Sequence, residues 1–330
     1  MATNRRIVLA SRPQGAASTS NFRLETVDLP ALADGQVLVR NHWLSLDPYM
    51  RGRMNDARSY ATPQPLNETM IGGTVGVVAE SRNPKFAVGD AVVGMFGWQE
   101  HGISDGANLR KVDPALPLSA YLGAVGMPGV TAWYGLNRII EPKASEIVVV
   151  SAASGAVGSV VGQLAKLAGC RAVGIAGGSD KCRYVVDELK FDACIDYKSQ
   201  DVGKRLEELC PRGIDGYFEN VGGDILNAVL PCMNAHGRIA LCGLIAAYDK
   251  EPIPLKNPGW LLTSRLKLQG FIISEHMEDW PQALQELGGG VASGKIRFRE
   301  SIVQGLENAP TAFLGLLKGQ NFGKQLVKLV

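Results

Sequence analysis

Cysteine is absent from the first half of this 330-residue chain: the first is Cys170, and Cys182, Cys194, Cys210, Cys232 and Cys242 follow with no C-x-x-C spacing. The four histidines, His42, His101, His236 and His276, show no ligand spacing among themselves or with cysteine. A zinc-assisted dehydrogenase needs thiolate and imidazole ligands in its N-terminal part, so no metal centre can be assembled. A disulfide framework is not expected in a large chain without an apolar leader, and buried free thiols are. No apolar run approaches the ~20 residues that span a bilayer, which argues against a membrane partner. Charge of one sign is also lacking. Lys and Arg number 34 against 32 Asp and Glu, a net charge of +2 with both signs interspersed, so the basic stripe that nucleic acid demands is missing. There is no G-x-S-x-G elbow to support nucleophilic hydrolysis. Repeats and low-complexity linkers are absent as well.

What is present is a compact, turn-rich composition, 46% hydrophobic with 39 glycines, long enough for about two domains. Arg5, Arg6, Arg12 and Arg23 precede the first acid, Glu25, a composition shared with transit peptides. Ile7–Ala10 nevertheless reads as a strand and the stretch lacks helical amphipathicity, which favours the first strand of a folded domain and a cytoplasmic protein. Residues 1–121 carry β-branched runs (QVLVRNHWLSL, IGGTVGVVAES, DAVVGMFGW) with turns such as Gly89-Asp90, the pattern of a mostly β domain. From residue 122 to 295 strands and helices alternate. Strands are expected at Ile147–Val150, Ala172–Ala176, Ala193–Asp196, Gly216–Glu219, Arg238–Cys242 and Leu268–Ile273, with helices between them. Six such strands predict an α/β doubly wound parallel sheet. The tail, 296–330, returns to β-like segments and is expected to complete the first domain.

The first unit of that pattern, Glu146–Cys170, is a strand, a small-residue turn and a helix on which Val160, Val161, Leu164 and Leu167 recur at helical spacing. A helix N-terminus facing such a turn suits a dinucleotide's pyrophosphate. Against G-x-G-x-x-G the turn reads Ala153-Ser154-Gly155-Ala156-Val157-Gly158, with Ala in the first glycine place, and a plain strand-to-helix turn would look the same. The end of the second strand, Ala176-Gly177-Gly178-Ser179-Asp180-Lys181, has no acid at its tip for a ribose 2′-hydroxyl. Lys181 and Arg183 would suit a 2′-phosphate, so NADPH is favoured, although Asp180 would repel one and such basic residues also serve as ordinary solvated surface.

The chain resembles the zinc-independent medium-chain dehydrogenases/reductases. Within them it resembles the branch of leukotriene B4 12-hydroxydehydrogenase/prostaglandin reductases and plant alkenal double-bond reductases, nearest its bacterial curcumin-reducing members. The resemblance runs end to end: ASRP (10–13), NFRLE (21–25), SLDPYMRGRM (45–54), GMPGVTAW (126–133), SGAVGSVVGQ (154–163), ENVGG (219–223), CGLIAAY (242–248), GFII (270–273), GLENAP (305–310) and LLKGQNFGK (316–324). It implies a GroES-like mostly β catalytic domain joined to a Rossmann domain, bound NADPH/NADP+, a frequent homodimer, and a small residue, here Ala153, where the first glycine is usual. By resemblance Gly155, Ala156, Val157 and Gly158 lie under the pyrophosphate, and Lys181 and Tyr197 lie near the 2′-phosphate. Asn220, the loop with Cys242, Gly243, Leu244, Ile245 and Tyr248, the GFII strand with Phe271, Ile272 and Ile273, and Asn321 cover the nicotinamide half. Leu268–Ile273, as a sheet edge, would suit a two-fold dimer.

The implied reaction is hydride transfer to the β-carbon of an enone or enal. Negative charge then collects on the carbonyl oxygen, where one aimed donor is worth about 3–4 kcal/mol. Tyr248 is the first candidate, since ligands gather beyond the carboxyl ends of strands and tyrosine, with a pKa of about 10, stays a neutral donor. Tyr49, from the other domain, is the second. Met127 and Trp133 are expected to shape an apolar pocket, and Arg51 and Arg53 to anchor the loop around Tyr49. A quinone reductase of the same superfamily and an NADPH-binding regulatory protein are the competing readings.

Overall fold

A computed structural model of the chain describes residues 2–249, 251 and 253–330. The chain divides into two compact units, residues 1–122 with 300–330, and residues 123–299.

In the first unit, β1 (Thr3–Leu9) and β2 (Phe22–Asp28) pair antiparallel. Next come β3 (Val37–Ser45), helix α1 (Tyr49–Arg53), β4 (Thr74–Ser81), β5 (Ala91–Gly94), β6 (His101–Ser104) and β7 (Arg110–Lys111). The second unit holds α2 (Met127–Tyr134), β8 (Ile147–Ser151), α3 (Gly158–Leu167), β9 (Arg171–Ala176), α4 (Ser179–Asp187), β10 (Ala193–Asp196), α5 (Val202–Leu209) and β11 (Ile214–Glu219). It continues through α6 (Gly223–Val229), β12 (Met233–Leu241), α7 (Gly259–Thr263), β13 (Lys267–Gly270) and α8 (Trp280–Ala292). The chain then returns to the first unit with β14 (Glu300–Gln304), α9 (Ala309–Leu317) and β15 (Lys324–Lys328).

Among the described residues the first unit's main sheet runs β14-β15-β3-β4-β5-β7, with β6 also paired to β3. It is antiparallel apart from the β14–β15 pair, so the C-terminal tail is woven into the β unit through Leu326–Lys328 opposite Trp43–Ser45. Its core joins Ile7, Leu9, Leu44 and Met50 to an aromatic group. There Phe22 stacks on Trp98 at 5.2 Å and Phe313 meets both rings edge-on.

The second unit's six strands are all parallel, in the order β10-β9-β8-β11-β12-β13. Counted along this sheet that is 3-2-1-4-5-6, the doubly wound order in which ligands bind beyond the carboxyl ends beside the first strand. The run Ile147–Ser151 is buried throughout, as a central parallel strand covered on both faces must be. Val149, Val173, Ile175, Ile195, Tyr217 and Ile239 fill one face together with Ile225 and Val229 of α6.

Two expectations need correction. The sixth strand is Lys267–Gly270 rather than Leu268–Ile273: after Gly270 the backbone leaves the ladder and turns in a 3₁₀ helix at Ile273–Glu275. On α3 the buried stripe is Val160, Val161 and Ala165, while Leu167 is exposed.

Candidate active site

The register of the parallel sheet aligns the strand ends. Ser151 pairs with Ile175, Ala176 with Asp196, Glu219 with Leu241, and Leu241 with Gly270. The segments after these residues therefore leave one edge of the sheet. On that edge lie Gly155–Gly158, Lys181, Tyr197, Asn220, Cys242–Ile245, Tyr248 and Phe271–Ile273.

The turn after β8 is built by close backbone approach. A Cβ on Gly158 would stand 2.4 Å from the carbonyl oxygen of Ala152, so only glycine lets α3 start this near the strand end. Ala153, in the first glycine place, is fully buried and its N–H donates to the Ile175 carbonyl at 3.0 Å. The neighbouring strand makes room for its methyl at Gly174, where a Cβ would lie 2.7 Å from that of Ala153. The departure from the glycine fingerprint is thus matched by a glycine 21 positions on. The N–H groups of Ala156, Val157 and Gly158 find no acceptor among the described residues, and they stand at the positive end of α3. Open donors, a helix terminus and a turn closed to side chains fit a pyrophosphate.

The turn after β9 works through side chains. Tyr197, half-exposed, lies against Gly177, where a Cβ would be 2.9 Å from its ring and hydroxyl. The Asp196 carboxylate accepts from the N–H groups of Gly178 at 2.7 Å and Lys198 at 3.0 Å, and these bonds hold its acid below the usual carboxylate range. Burial, and then the charge of Lys198, lower the Lys181 ammonium. Asp180 is engaged by Arg183 at 2.8 Å, which offsets the repulsion it would exert on a phosphate. Two lysines and a phenol beside a glycine turn match a phosphomonoester. Lys198 and Asp196 were not singled out from the sequence, because they belong to no motif.

Beyond β11 and β12 the loops are fastened together. Glu219, fully buried, accepts from Ser151 Oγ at 2.7 Å, Tyr217 Oη at 2.8 Å and the Val221 N–H at 2.6 Å. Burial raises its pKa despite these bonds. Ser151 Oγ in turn accepts from the Asn220 N–H at 2.8 Å, and Asn220 Nδ2 donates to the Ser151 carbonyl at 2.8 Å. The Cys242 N–H donates to the Glu219 carbonyl at 2.9 Å, that of Ile245 to Asn220 at 3.3 Å and that of Ala246 to Val221 at 3.0 Å. Burial and then Glu219 push the Cys242 thiol up to about 12, so it stays neutral. Tyr248 folds back over this loop, its hydroxyl accepting from the Leu244 N–H at 3.5 Å.

Phe271 does not continue a strand but packs against Tyr134 (5.4 Å) and Phe218 (6.3 Å). Ile273 is buried and its carbonyl accepts from Trp280 Nε1 at 3.2 Å, with Ile272 between the two. Trp133 is 1% exposed. Its indole N–H donates to Glu286 at 2.6 Å and Arg138 covers its ring at 4.8 Å, so it is a core side chain of the second unit rather than a pocket wall. Met127, half-buried, opens α2.

In the first unit, Tyr49 opens α1 and packs on the core. Burial, and then the charge of Asp47, push its hydroxyl well above the ordinary value, so it remains protonated. The turn that carries it is pinned to β15: buried Lys324 donates to Asp47 at 2.6 Å and to the Leu46 carbonyl at 2.7 Å, and Ser45 Oγ bonds Asp47. Arg51 donates to Asn55 and to the Gly15 carbonyl, each at 2.7 Å, and Arg53 donates to the Thr62 carbonyl at 2.7 Å. Both arginines act as loop anchors. Asn321 precedes β15 and donates to the Gly323 carbonyl at 2.7 Å. No three His, Cys, Asp or Glu side chains among the described residues come together as a metal site.

Known proteins resemble the chain over its whole length. Residues 5–112 match a family described as the N-terminal domain of oxidoreductase, and residues 156–288 match one described as zinc-binding dehydrogenase. The chain is 48% identical to the NADPH-dependent curcumin reductase of Escherichia coli (strain K12), over 99% of this chain and 97% of that protein. It is 44% identical to prostaglandin reductase 1 of Rattus norvegicus, over 96% of each. The crystal structure of CurA in complex with NADPH from Vibrio vulnificus superposes with a TM-score of 0.94, at 48% identity and covering 99% of both chains. The chain belongs to the zinc-independent medium-chain dehydrogenase/reductase family, in the branch that holds the curcumin and prostaglandin reductases.

Proposed function

We propose that the protein is an NADPH-dependent reductase of the carbon–carbon double bond of α,β-unsaturated ketones and aldehydes. The observation that carries this reading is the 48% identity, across 99% of the chain, with a reductase named for NADPH and curcumin. The open N–H groups of Ala156, Val157 and Gly158 would hold the pyrophosphate, and Lys181, Lys198 and Tyr197 the 2′-phosphate. Asn220 and the Cys242–Tyr248 loop would border the nicotinamide, with Phe271 and Ile272 shaping the wall behind it. Gly155 gives the turn its shape. In the first unit Asn321 is assigned to the cofactor and Tyr49 to the substrate, and Met127 of the second unit is assigned to the substrate pocket.

Bound NADPH supplies the hydride that reduces the β-carbon. The Tyr248 hydroxyl donates to the carbonyl oxygen as it becomes negative, and the neutral Tyr49 phenol is a second donor. Asp47 and Lys324 keep the Tyr49 turn in place. The two loops fastened through Glu219 and Ser151 keep Asn220 and Tyr248 from drifting during turnover. Neutral Cys242 adds no charge beside them. A homodimer is proposed through the free edge of β13, and a cytoplasmic location goes with a pool of reduced cofactor. No helix among the described residues is long and apolar enough to cross a membrane.

The test is NADPH consumption with a 2-alkenal, a curcumin-type dienone and a benzoquinone. The reading expects the first two to be reduced faster. Preference for the quinone would select the quinone-reductase alternative, and no turnover with any of them the non-catalytic one. Tyr248→Phe should lower kcat by about 10²- to 10³-fold, the usual loss on removing one oxyanion donor, with NADPH binding nearly intact. Unaltered turnover would remove Tyr248 from the mechanism.

A further inference from the structure

Cys182 and Cys194, which sequence spacing gives no reason to associate, lie with their sulfurs 3.2 Å apart, one on the first turn of α4 and the other on β10. Both are free thiols in partly exposed residues, whereas Cys170 and Cys210 are buried. We propose that this pair is a dithiol site at which a hydroperoxide forms an intrachain disulfide, and that closing it weakens the protein's hold on NADPH.

The geometry supplies both halves of the reaction. Cys194 Sγ donates to Cys182 Sγ, and that bond holds the Cys182 thiol below its ordinary value while raising that of Cys194. Cys182 is therefore the thiol that ionises more readily and the one that attacks, as its thiolate. Its sulfur takes the distal peroxide oxygen, the O–O bond breaks, and the remaining oxygen leaves as water or an alcohol once protonated. The sulfenic acid so formed no longer draws the Cys194 proton into a thiolate bond. Cys194 then attacks the Cys182 sulfur, and its proton passes to the departing hydroxide, which leaves as water. Two thiols are oxidised by two electrons and one peroxide is reduced by two.

The link to cofactor follows from the neighbours and rests on the assignment of the β9 turn to the 2′-phosphate. Cys182 directly follows Lys181. Cys194 stands two residues before Asp196, whose carboxylate holds Gly178 and Lys198, and three before Tyr197. A disulfide brings the sulfurs to about 2.0 Å. Bonding therefore draws the start of α4 toward β10 by about an ångström of sulfur travel, and it acts on both sides of that turn. Coupling of this kind is reciprocal, so bound NADPH should make the disulfide easier to reduce by the factor by which the disulfide weakens NADPH.

Whole protein treated with hydrogen peroxide should lose two hydrogens in intact mass, with peptide mapping joining residue 182 to residue 194. The oxidised protein should bind NADPH roughly tenfold more weakly by fluorescence titration, within the usual range of coupling. Equilibration in a dithiothreitol redox buffer should then place the disulfide's midpoint about 30 mV higher with saturating NADPH than without, the same tenfold for a two-electron couple. Cys182→Ser and Cys194→Ser should each keep the reduced protein's affinity after peroxide. Four results would overturn the proposal: a bond between other cysteines, over-oxidation without a crosslink, an oxidised protein that binds NADPH as tightly as before, or a serine variant that still loses affinity. Failure of the phosphate assignment reads out separately, as equal losses of NADPH and NADH affinity in Lys181→Ala, and leaves the crosslink measurement untouched.

Discussion

The turns after β8 and β9 leave the same edge of one sheet, yet the first presents backbone and the second presents side chains. Between Ala152 and Gly158 there is no charge, and the space a Cβ would need is taken by the Ala152 carbonyl. Around the Gly177–Lys181 turn, which meets the loop after β10, the groups are the exposed Tyr197 phenol, the Lys181 and Lys198 ammonium groups, and two carboxylates, Asp196 committed to backbone N–H groups and Asp180 to Arg183. A pyrophosphate is common to every nicotinamide dinucleotide, so a rigid array of N–H groups suffices for it. The extra phosphate of NADPH is what must be told apart, and that calls for charges that can be placed or removed without rebuilding the turn. General binding and discrimination are thus assigned to adjacent but chemically opposite loops.

That contrast can be broken from either side. The largest effect is expected for Gly158→Ala. Its Cβ would force backbone apart at 2.4 Å. Overpacking of this kind costs about 1–3 kcal/mol, so thermal melting should shift down and titration should show NADPH and NADH affinity falling together. Lys181→Ala should leave melting nearly unchanged and act on one cofactor only. Loss of a hydrogen bond to a charged group, about 1.5–3 kcal/mol, predicts a roughly 10- to 150-fold drop for NADPH and little change for NADH. Equal effects on both would place the phosphate elsewhere. The smallest effect is expected from pH. Since burial and Lys198 lower the Lys181 ammonium, the NADPH-over-NADH preference should decline on the alkaline side before an ordinary lysine would lose its proton. Below about pH 6 it should decline again as the phosphate itself takes up a proton. A preference flat across the alkaline range would argue that Lys181 does not contribute.

The same contrast explains what could be read in the sequence. The parallel sheet was legible because six apolar runs alternate with amphipathic helices, and such runs have few other places to go. The glycine turn was legible for a similar reason, since its demand is steric and local. Its one irregularity, Ala153, was not explicable from the segment alone, because the compensating Gly174 lies on the next strand and only strand pairing brings them together. Lys198 and Asp196 went unseen because they belong to no motif, and the proximity of Cys182 to Cys194 because they stand 12 positions apart across helix and loop. Phe271–Ile273 reads as strand from hydrophobicity, yet after the ladder has ended the Phe271 ring packs on Tyr134 and Phe218, Ile273 is buried, and its backbone carbonyl accepts from Trp280. Trp133 shows the same limit: its type suits a pocket wall, and only its bond to Glu286 and its burial identify it as core.

The most direct measurement is the fate of the hydride. With NADPH deuterated at the transferring position of the nicotinamide ring and a 2-alkenal as acceptor, NMR of the product should find deuterium on the β-carbon and an intact aldehyde. Deuterium on the carbonyl carbon of an allylic alcohol would contradict double-bond reduction and, with it, the role assigned to Tyr248.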